Sequence, residues 1–290
     1  MKKAAIISVI LLACNNTSIS QGIRIQYQWP GFVRINDSVF ISNSEVSIRD
    51  YAEFLTFMPR YFGSYSRLYF SIPQANSINW IAYSSSAKVI VPVTNLFDEP
   101  DTVNVMYVDK KGKKHSRGII SYSSVTHDFP VVNITKDQAL LYCEFASLAY
   151  RDLLRNTKGK KNWKLPPKVS FRLPTENEWK FAANAGLDTA KYLYGCNDSI
   201  QPIAGTLVCK ELYDSLNTGA SIPVSVRYGF SNNLGVFNMC GNVAEIVMDS
   251  PYAFGGSFRE LKSACTVLSR RDASVPADNI GFRVVAVISK

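Results

Sequence analysis

Three stretches of the chain place apolar residues at helical spacing directly behind a capping pattern. The predicted caps and their partners three residues later are Ser47 with Asp50, Thr135 with Gln138, and Thr175 with Glu178. The inward positions are Ile48, Tyr51, Ala52, Leu55 and Met58, then Ala139, Tyr142, Cys143, Ala146 and Ala149, then Trp179, Ala182 and Ala183. Pro59 and Gly186 end the first and third helices, and the second extends to about Leu154.

Strand patterns are shorter. Val33-Arg34-Ile35 and Val39-Phe40-Ile41 flank Asn36-Asp37-Ser38, which predicts a small hairpin. A last strand is predicted over 282–288. Between residues 60 and 126 the pattern favours no element, and no repeat or linker separates two domains.

Residues 228–249 predict a folded but irregular loop, because glycines at 229, 235 and 241 interrupt short apolar pairs. Side-chain or backbone oxygens are close in sequence at Asn238, Gly241, Asn242, Val243 and Glu245. A hard cation such as calcium, bound by these oxygens, could satisfy polar backbone groups that have no partner in a sheet or helix. The alternative is that the two asparagines only bond nearby backbone, as Asn does in turns. The residues alone favour this alternative.

Composition is that of an ordinary globular protein, with 290 residues of which 47% are hydrophobic. The net charge is +9, and lysines concentrate around 110–117 and 158–168. Both clusters lie in segments with Gly or Pro, so they are expected to be solvated loops, with an acidic partner as the sharper alternative. Aromatic residues do not interleave with them, which argues against nucleic acid.

The N-terminus has the pattern of an export signal. A basic start at residues 1–3 precedes nine apolar residues and then Leu11-Leu12-Ala13-Cys14. Nine residues are too few to cross a bilayer. The ending resembles the lipobox of bacterial lipoproteins, which implies cleavage before Cys14 and acylation of that cysteine. An ordinary signal peptide cut elsewhere is the alternative.

Five cysteines remain after Cys14, an odd number that leaves at least one free thiol in an oxidising compartment. Cys196 and Cys209 are the plausible pair, across a loop with Gly and Pro. Cys143 lies in a helical apolar pattern and is expected to be a buried small hydrophobe.

Six motifs occur in an order similar to that of the formylglycine-generating enzyme family, the sulfatase-modifying factor domain. They are Val131-Val132-Asn133-Ile134, Arg172-Leu173-Pro174-Thr175-Glu176 with Glu178-Trp179, Gly235-Val236-Phe237-Asn238-Met239, Gly241-Asn242-Val243-Ala244-Glu245, Gly255-Gly256-Ser257-Phe258 and Gly281-Phe282-Arg283. The resemblance spans about 33–287. It implies a single compact α+β domain, related to C-type-lectin-like folds and with much irregular backbone, over 32–290, behind a signal peptide (1–13) and a lipidated leader (14–31).

The same resemblance implies a calcium held by Asn238, Gly241, Val243 and Glu245, which reverses the preference drawn from the residues alone. The family's tryptophans on either side of that glutamate are replaced by Ala244 and Ile246. Packing around the site is therefore expected to differ.

Catalysis is where the chain departs from the family, whose active members bind Cu(I) through two cysteines five positions apart. Counted from the Gly-Gly-Ser motif, Cys265 takes the first position and Arg270 the second; counted from Gly281, Cys265 takes the second. Neither count supplies two thiolates, so copper is not expected and Cys265 is interpreted as a remnant. The iron-dependent branch needs three histidines, and the chain has only His115 and His127.

Two hypotheses follow. In the first, the protein is a catalytically silent, lipid-anchored outer-membrane component that binds an envelope protein, peptide or glycan through a cleft rimmed by Arg259, Arg270, Arg271 and the Gly255-Gly256 backbone. It then resembles the lipoproteins of gliding-motility and associated secretion machinery. In the second, it is a formylglycine-generating oxidase whose missing copper ligand comes from elsewhere, such as Cys240.

Overall fold

The computed structural model describes residues 31–51, 53–54, 79–84, 87–92, 103–108, 114–120, 128–157, 168–188, 190–195, 207–215, 222–228 and 231–289, with backbone only for the strands from 79 to 120. The predicted signal peptide, the leader, Cys14 and Cys196 lie outside these ranges, as do most of both lysine clusters. Within the described part, no helix combines the length and apolar character that a membrane crossing requires.

The first sheet is antiparallel and has the order β1 (Phe32–Arg34), β2 (Val39–Ser42), β12 (Val285–Ile288) and β7 (Val169–Arg172). The first two strands form the predicted hairpin. In its turn, Asn36 Oδ1 accepts backbone N–H bonds from Ser38 at 3.0 Å and from Val39 at 2.9 Å. The side chain of the asparagine thus replaces ladder bonds that the turn lacks.

The second sheet has the order β10 (Arg270–Asp272), β9 (Tyr252–Phe254), β8 (Ala244–Ile246) and β11 (Ile280–Phe282). Its β8–β11 pair is parallel and the other pairs are antiparallel. The prediction of one strand over 282–288 is wrong, because the chain leaves the second sheet after Phe282 and enters the first at Val285. Arg283 turns into the interior at this crossing and interrupts the ladder.

Four further strands occupy the stretch for which the sequence favoured no element. They are β3 (Asn79–Ser84), β4 (Ala87–Pro92), β5 (Val103–Val108) and β6 (Lys114–Ile120). Each pairs antiparallel with the next, and the register shifts between Asn104 and Met106. Three prolines and frequent serines in this stretch obscured the alternation that would have predicted strands.

The helices begin where their caps predict. α1 covers residues 48–51 and 53–54 of the described chain, and Ser47 and Asp50 exchange backbone and side-chain bonds at its start. α2 (Lys136–Thr157) begins behind a box in which Gln138 Oε1 accepts the Thr135 N–H at 2.7 Å, and it ends three residues beyond the predicted Leu154. α3 (Glu176–Asn184) has the predicted box of Thr175 and Glu178 and ends in left-handed residues at 185 and 186. A short α4 (Lys210–Ser215) was not predicted.

The largest core cluster lies between α2 and the first sheet. All five predicted inward positions of α2 are buried, as are the three of α3. Trp179 is fully buried and packs in a second cluster with Val39, Ile41 and Val285. Burial of a side chain this large stabilises the fold by a few kcal/mol, roughly 25 cal/mol per Å² of apolar area. α3 is thereby fixed against the strands that carry the candidate site.

Candidate functional site

A buried ion pair lies at the centre of the region singled out by the sequence. Arg283 donates to Glu245 through Nε and through Nη2, each at 2.6 Å, and both side chains are at most 1% exposed. Trp179 Nε1 donates to the same carboxylate at 2.7 Å. The remaining guanidinium contacts are Nη1 to the Ser42 carbonyl at 3.1 Å and Nη2 to the Phe237 carbonyl at 2.9 Å. Arg283 thus joins both sheets to the irregular loop.

A second buried carboxylate lies next to this pair. Glu45 is 2% exposed and accepts a bond from Asn242 Nδ2 at 2.8 Å and from Asn238 Nδ2 at 3.2 Å. Desolvation, opposed by the charge of Arg283 and reinforced by that of Glu245, raises the pKa of Glu45 from 4.5 to about 8. The asparagines also contact the carbonyls of Ser225 and Val224, each at 3.4 Å.

Both asparagines have left-handed backbone, with φ of 54° and 56°. Asn tolerates this conformation better than most residues. Their side chains do not only bond nearby backbone, as the alternative from the sequence supposed, because they reach across the chain to Glu45. Asn242 Oδ1 additionally accepts the Val224 N–H at 2.9 Å.

The remaining predicted calcium ligands are backbone positions. Gly241 has φ +79° and its N–H bonds the Gly255 carbonyl at 2.9 Å; a Cβ here would lie 2.5 Å from the Val208 carbonyl oxygen. Val243 is buried in a small cluster with Val132, Val208 and Phe258. These contacts explain why only Gly fits at 241.

As arranged, the predicted set does not fit calcium. The Glu245 carboxylate already accepts three N–H bonds and faces a guanidinium, whereas the Asn238 amide faces a different carboxylate, that of Glu45. Among the described residues, no three His, Cys, Asp or Glu side chains are grouped to hold a metal ion. Calcium binding by Asn238, Gly241, Val243 and Glu245 stays a prediction, and no chemical role is derived from it.

Cys265 is a fully buried thiol. Its Sγ donates to the Ser257 carbonyl at 3.2 Å and lies 3.8 Å from the Glu260 carbonyl. Desolvation raises the pKa of this thiol to about 12, and the charges of Cys209 and Glu260 act in the same direction. The thiolate is the form that binds metals and attacks electrophiles, so at neutral pH this side chain is almost entirely in its unreactive form.

The positions five residues to either side of Cys265 are Glu260 and Arg270. The Glu260 carboxylate accepts from Ser257 Oγ, from Arg271 Nη1 at 2.6 Å and from Asn279 Nδ2 at 3.5 Å. Arg270 is exposed and its guanidinium lies 5.0 Å from the Tyr252 ring centroid. The second copper position therefore falls on Glu260 or on Arg270. Neither carries a thiol, and each side chain already contacts another residue.

The other described cysteines differ in setting. Cys209 is a free, buried thiol, and its predicted partner Cys196 lies outside the described residues. Cys209 contacts the Glu211 side chain, and burial is the main cause that raises its pKa. Cys143 is 2% exposed and burial raises its pKa, which confirms the prediction of a buried small residue. Cys240 is partly buried.

The three arginines expected to rim a cleft each contact another part of the chain. Arg259 pairs with Asp278, Arg271 pairs with Glu260, and Arg270 stacks on Tyr252. Gly255 and Gly256, expected beside them, lie against buried backbone, where a Cβ would approach Met239 O within 2.6 Å and Ala264 O within 2.3 Å. The glycine backbone therefore does not form an open rim.

Sequence reasoning missed Glu45 and misassigned Arg283. A usable signal for Glu45 was an acidic residue two positions before the helix cap Ser47 and next to apolar Val46, where burial forces it to find polar partners. For Arg283, the signal was a charged residue within an otherwise apolar final strand.

Comparison with known proteins agrees with this fold. The family model described as sulfatase-modifying factor enzyme 1-like domain matches residues 30–288. Among solved structures, Treponema denticola variable protein 1 is 16% identical with a TM-score of 0.48, and the match covers 89% of this chain and 91% of that one. CarF is 18% identical, with a TM-score of 0.47 and 87% of each chain covered. PvdO from Pseudomonas aeruginosa is 16% identical, with a TM-score of 0.45 and coverage of 86% and 80%.

No curated protein matches the sequence. The family match nevertheless spans nearly the whole chain and includes the six motifs between residues 131 and 283. The chain therefore belongs to the sulfatase-modifying factor enzyme 1-like domain family.

Proposed function

We propose that this protein is a catalytically silent member of its family, used as a binding or scaffolding component of the bacterial cell envelope. The observation that carries the proposal is the setting of Cys265, whose thiol is fully buried with a pKa of about 12. The positions five residues away are a carboxylate paired with Arg271 and an exposed arginine. A Cu(I) site needs two accessible thiolates. Here the one cysteine is buried and protonated, and neither position five residues away carries a second thiol.

Attachment to the outer membrane is supported by the N-terminal sequence alone. Acyl chains on Cys14 would supply affinity through buried methylenes, at about 0.8 kcal/mol each. A lipid-anchored protein of this family without the copper cysteines is similar in type to the lipoproteins of gliding-motility and associated secretion machinery. Growth in labelled palmitate, followed by mass spectrometry of the wild-type chain and of Cys14→Ser, tests the anchor. An unlabelled wild type would contradict it.

Partner contact is assigned to the surface that carries Arg259 and Arg270, with Arg271 behind it. Arg259 is 51% exposed although paired with Asp278, so an acidic peptide or a sulfated or carboxylated glycan can compete for its guanidinium. Pull-down from envelope extract with the wild-type chain and with Arg259→Ala/Arg270→Ala tests this assignment. A matched control is Arg151→Ala/Arg155→Ala on the exposed side of α2. Equal capture by both variants would contradict it.

The second candidate function is a copper-dependent oxidase that generates formylglycine in sulfatases. It is favoured by one observation, that the Lys210 N–H bonds the Glu260 carbonyl at 2.8 Å and Cys265 Sγ lies 3.8 Å from the same carbonyl, which brings the segment of Cys209 near Cys265. Cys209 is then a candidate for the missing ligand, in addition to Cys240.

Copper titration of the reduced chain separates the two functions. The silent-scaffold proposal expects no tight Cu(I) in the wild type by mass spectrometry. One tightly bound Cu(I), lost in Cys265→Ser and in Cys209→Ser but kept in Cys143→Ala, would overturn it. Oxidation of a sulfatase peptide would then be the next measurement.

A further inference from the structure

Three turns of the chain meet to form an exposed surface of leucines and basic residues. It consists of Leu193, Leu261, Leu268, Lys191 and Lys262, and is called the leucine-basic face below. Leu193, Leu261 and Leu268 are 41%, 51% and 49% exposed, respectively. Exposed leucines at this level are individually ordinary, and their grouping with basic side chains is the feature that calls for an explanation.

Specific contacts hold the three turns together. The Val267 N–H bonds the Leu193 carbonyl at 2.8 Å, which places the turn of Leu268 against that of Leu193. Tyr194 Oη donates to the Lys262 carbonyl at 3.4 Å, and Lys262 Nζ lies 5.4 Å from the centroid of the same tyrosine ring. These contacts bring together the turns that carry the three leucines.

The two lysines lie on the same turns as Leu193 and Leu261. Lys191 is exposed, and its Nζ lies 5.2 Å from the centroid of the Tyr192 ring. The acidic side chain of Glu211 lies beside Lys262, where it accepts the Lys262 backbone N–H at 2.8 Å. The face is therefore basic around an aliphatic centre, in a chain whose net charge is +9.

We propose that the leucine-basic face docks on an anionic lipid surface. Aliphatic side chains on turns can insert into the boundary between headgroups and acyl chains, while lysine and arginine reach the phosphates. Tyrosines next to them suit the same boundary, since their rings are apolar and their hydroxyls polar. Protein-binding hot spots, in contrast, are poor in leucine, which favours lipid over an acidic protein as the occupant.

This docking does not depend on acylation of Cys14. A lipid anchor would confine the domain near a bilayer, and the leucine-basic face would then set which side of the domain lies against it. Failure of the anchor and failure of the docking are therefore distinguishable, because the docking is tested on a chain that carries no acyl group.

The test uses the full chain carrying Cys14→Ser and sedimentation with vesicles of phosphatidylcholine containing 30% phosphatidylglycerol. We expect Leu193→Ser/Leu261→Ser/Leu268→Ser, and separately Lys191→Glu/Lys262→Glu, to weaken binding by about tenfold or more. The first variant removes the apolar side chains that insert, and the second reverses charges that are attracted to anionic headgroups. Added salt is expected to weaken binding of the parent chain and to have less effect on the charge variant.

Matched controls keep the same change in charge or apolarity elsewhere. They are Arg151→Glu/Arg155→Glu on α2 and Leu140→Ser/Met248→Ser/Val275→Ser, and each is expected to bind as the parent does. All the substituted side chains are exposed or lie at the surface, so melting temperatures are expected to be unchanged. Equal loss in the face variants and the controls, or no loss in either, would overturn the proposal. Capture of an acidic envelope protein through this face, without vesicle binding, would also overturn it.

Discussion

Arg283 and Glu245 form a two-bond ion pair in which neither side chain is more than 1% exposed to solvent. The arginine lies where the chain passes from one sheet to the other, and the glutamate lies on β8 of the second sheet. Such a pair contributes less net stability than its geometry suggests, but loss of one partner leaves a buried charge without compensation. It therefore defines where the fold is most sensitive to single substitutions.

Arg283→Met is expected to lower the free energy of unfolding by about 3–5 kcal/mol, because Glu245 would keep its charge in a dry site. Glu245→Leu in the same background should recover part of this loss, since the unpaired charge is then removed. The measurement is urea denaturation followed by tryptophan fluorescence. Lys180→Met breaks the surface pair with Glu176, where both side chains are about a third exposed, and should cost less than about 1 kcal/mol. Similar losses of stability in Arg283→Met and Lys180→Met would contradict the special sensitivity of the buried ion pair.

Calcium is not expected to raise the melting temperature of the wild type, because Arg283 already neutralises the Glu245 carboxylate. The measurement is thermal denaturation after chelation and after readdition of calcium, with Asn238→Ala as the ligand variant. A rise that is lost in Asn238→Ala would instead support the calcium site that the resemblance implies. Magnesium serves as the control cation, because it tolerates an irregular ligand set poorly.

Glu45 is expected to make stability depend on pH. Its pKa is raised from 4.5 to about 8, mainly by desolvation. The folded state therefore holds a proton that the unfolded state releases, so the contribution is complete below about pH 4.5 and is lost as the pH rises through about 8. Between pH 5 and pH 8 the unfolding free energy of the wild type should fall with pH by up to about 1.4 kcal/mol per pH unit because of Glu45. Glu45→Gln should remove this slope. Glu144→Gln on the exposed side of α2 is the control, and equal profiles for the two variants would contradict the assignment.

Gly256→Ala is expected to destabilise the protein more than a positive φ alone explains. Gly256 has φ +71° and a Cβ there would lie 2.3 Å from the Ala264 carbonyl oxygen, whereas Gly235 has φ +85° with nothing within 4 Å. Gly235→Ala should cost about 1 kcal/mol through backbone strain, and Gly256→Ala a further 1–3 kcal/mol through the clash. Chemical denaturation of both variants isolates the steric part as their difference. Equal losses of unfolding free energy in the two variants would mean that the backbone at Ala264 shifts without cost to admit the new Cβ.

Cys265 is expected to resist alkylation in the native protein at pH 7, because its pKa is about 12 and it is fully buried. Partly buried Cys240 should react first. Iodoacetamide labelling of native and urea-unfolded protein, read by peptide mass spectrometry, measures both. If Cys265 in the native protein were labelled rapidly and Cys240 were not, Cys265 would be an activated thiol. This result would favour the oxidase alternative.

Local patterns were sufficient to predict the capped helices and the first hairpin, because caps and turns are set by residues three or four apart. The sequence also located the irregular loop and its asparagines. It did not reveal the partners of Asn238 and Asn242, since Glu45 lies almost two hundred positions away along the chain. The division of 282–288 was missed for a similar reason. A run of apolar residues does not show which sheet each residue joins, and Arg283 is drawn inward by a carboxylate distant in sequence.

The position of β12 between β2 and β7 has a consequence for biosynthesis. β2 and β7 are synthesised early and midway, yet neither can complete its pairing before residues 285–288 leave the ribosome. The inner strand of the sheet is thus the last of its four to be made, and long-range pairing of this kind is slow. The nascent chain consequently spends most of its synthesis without a closed first sheet.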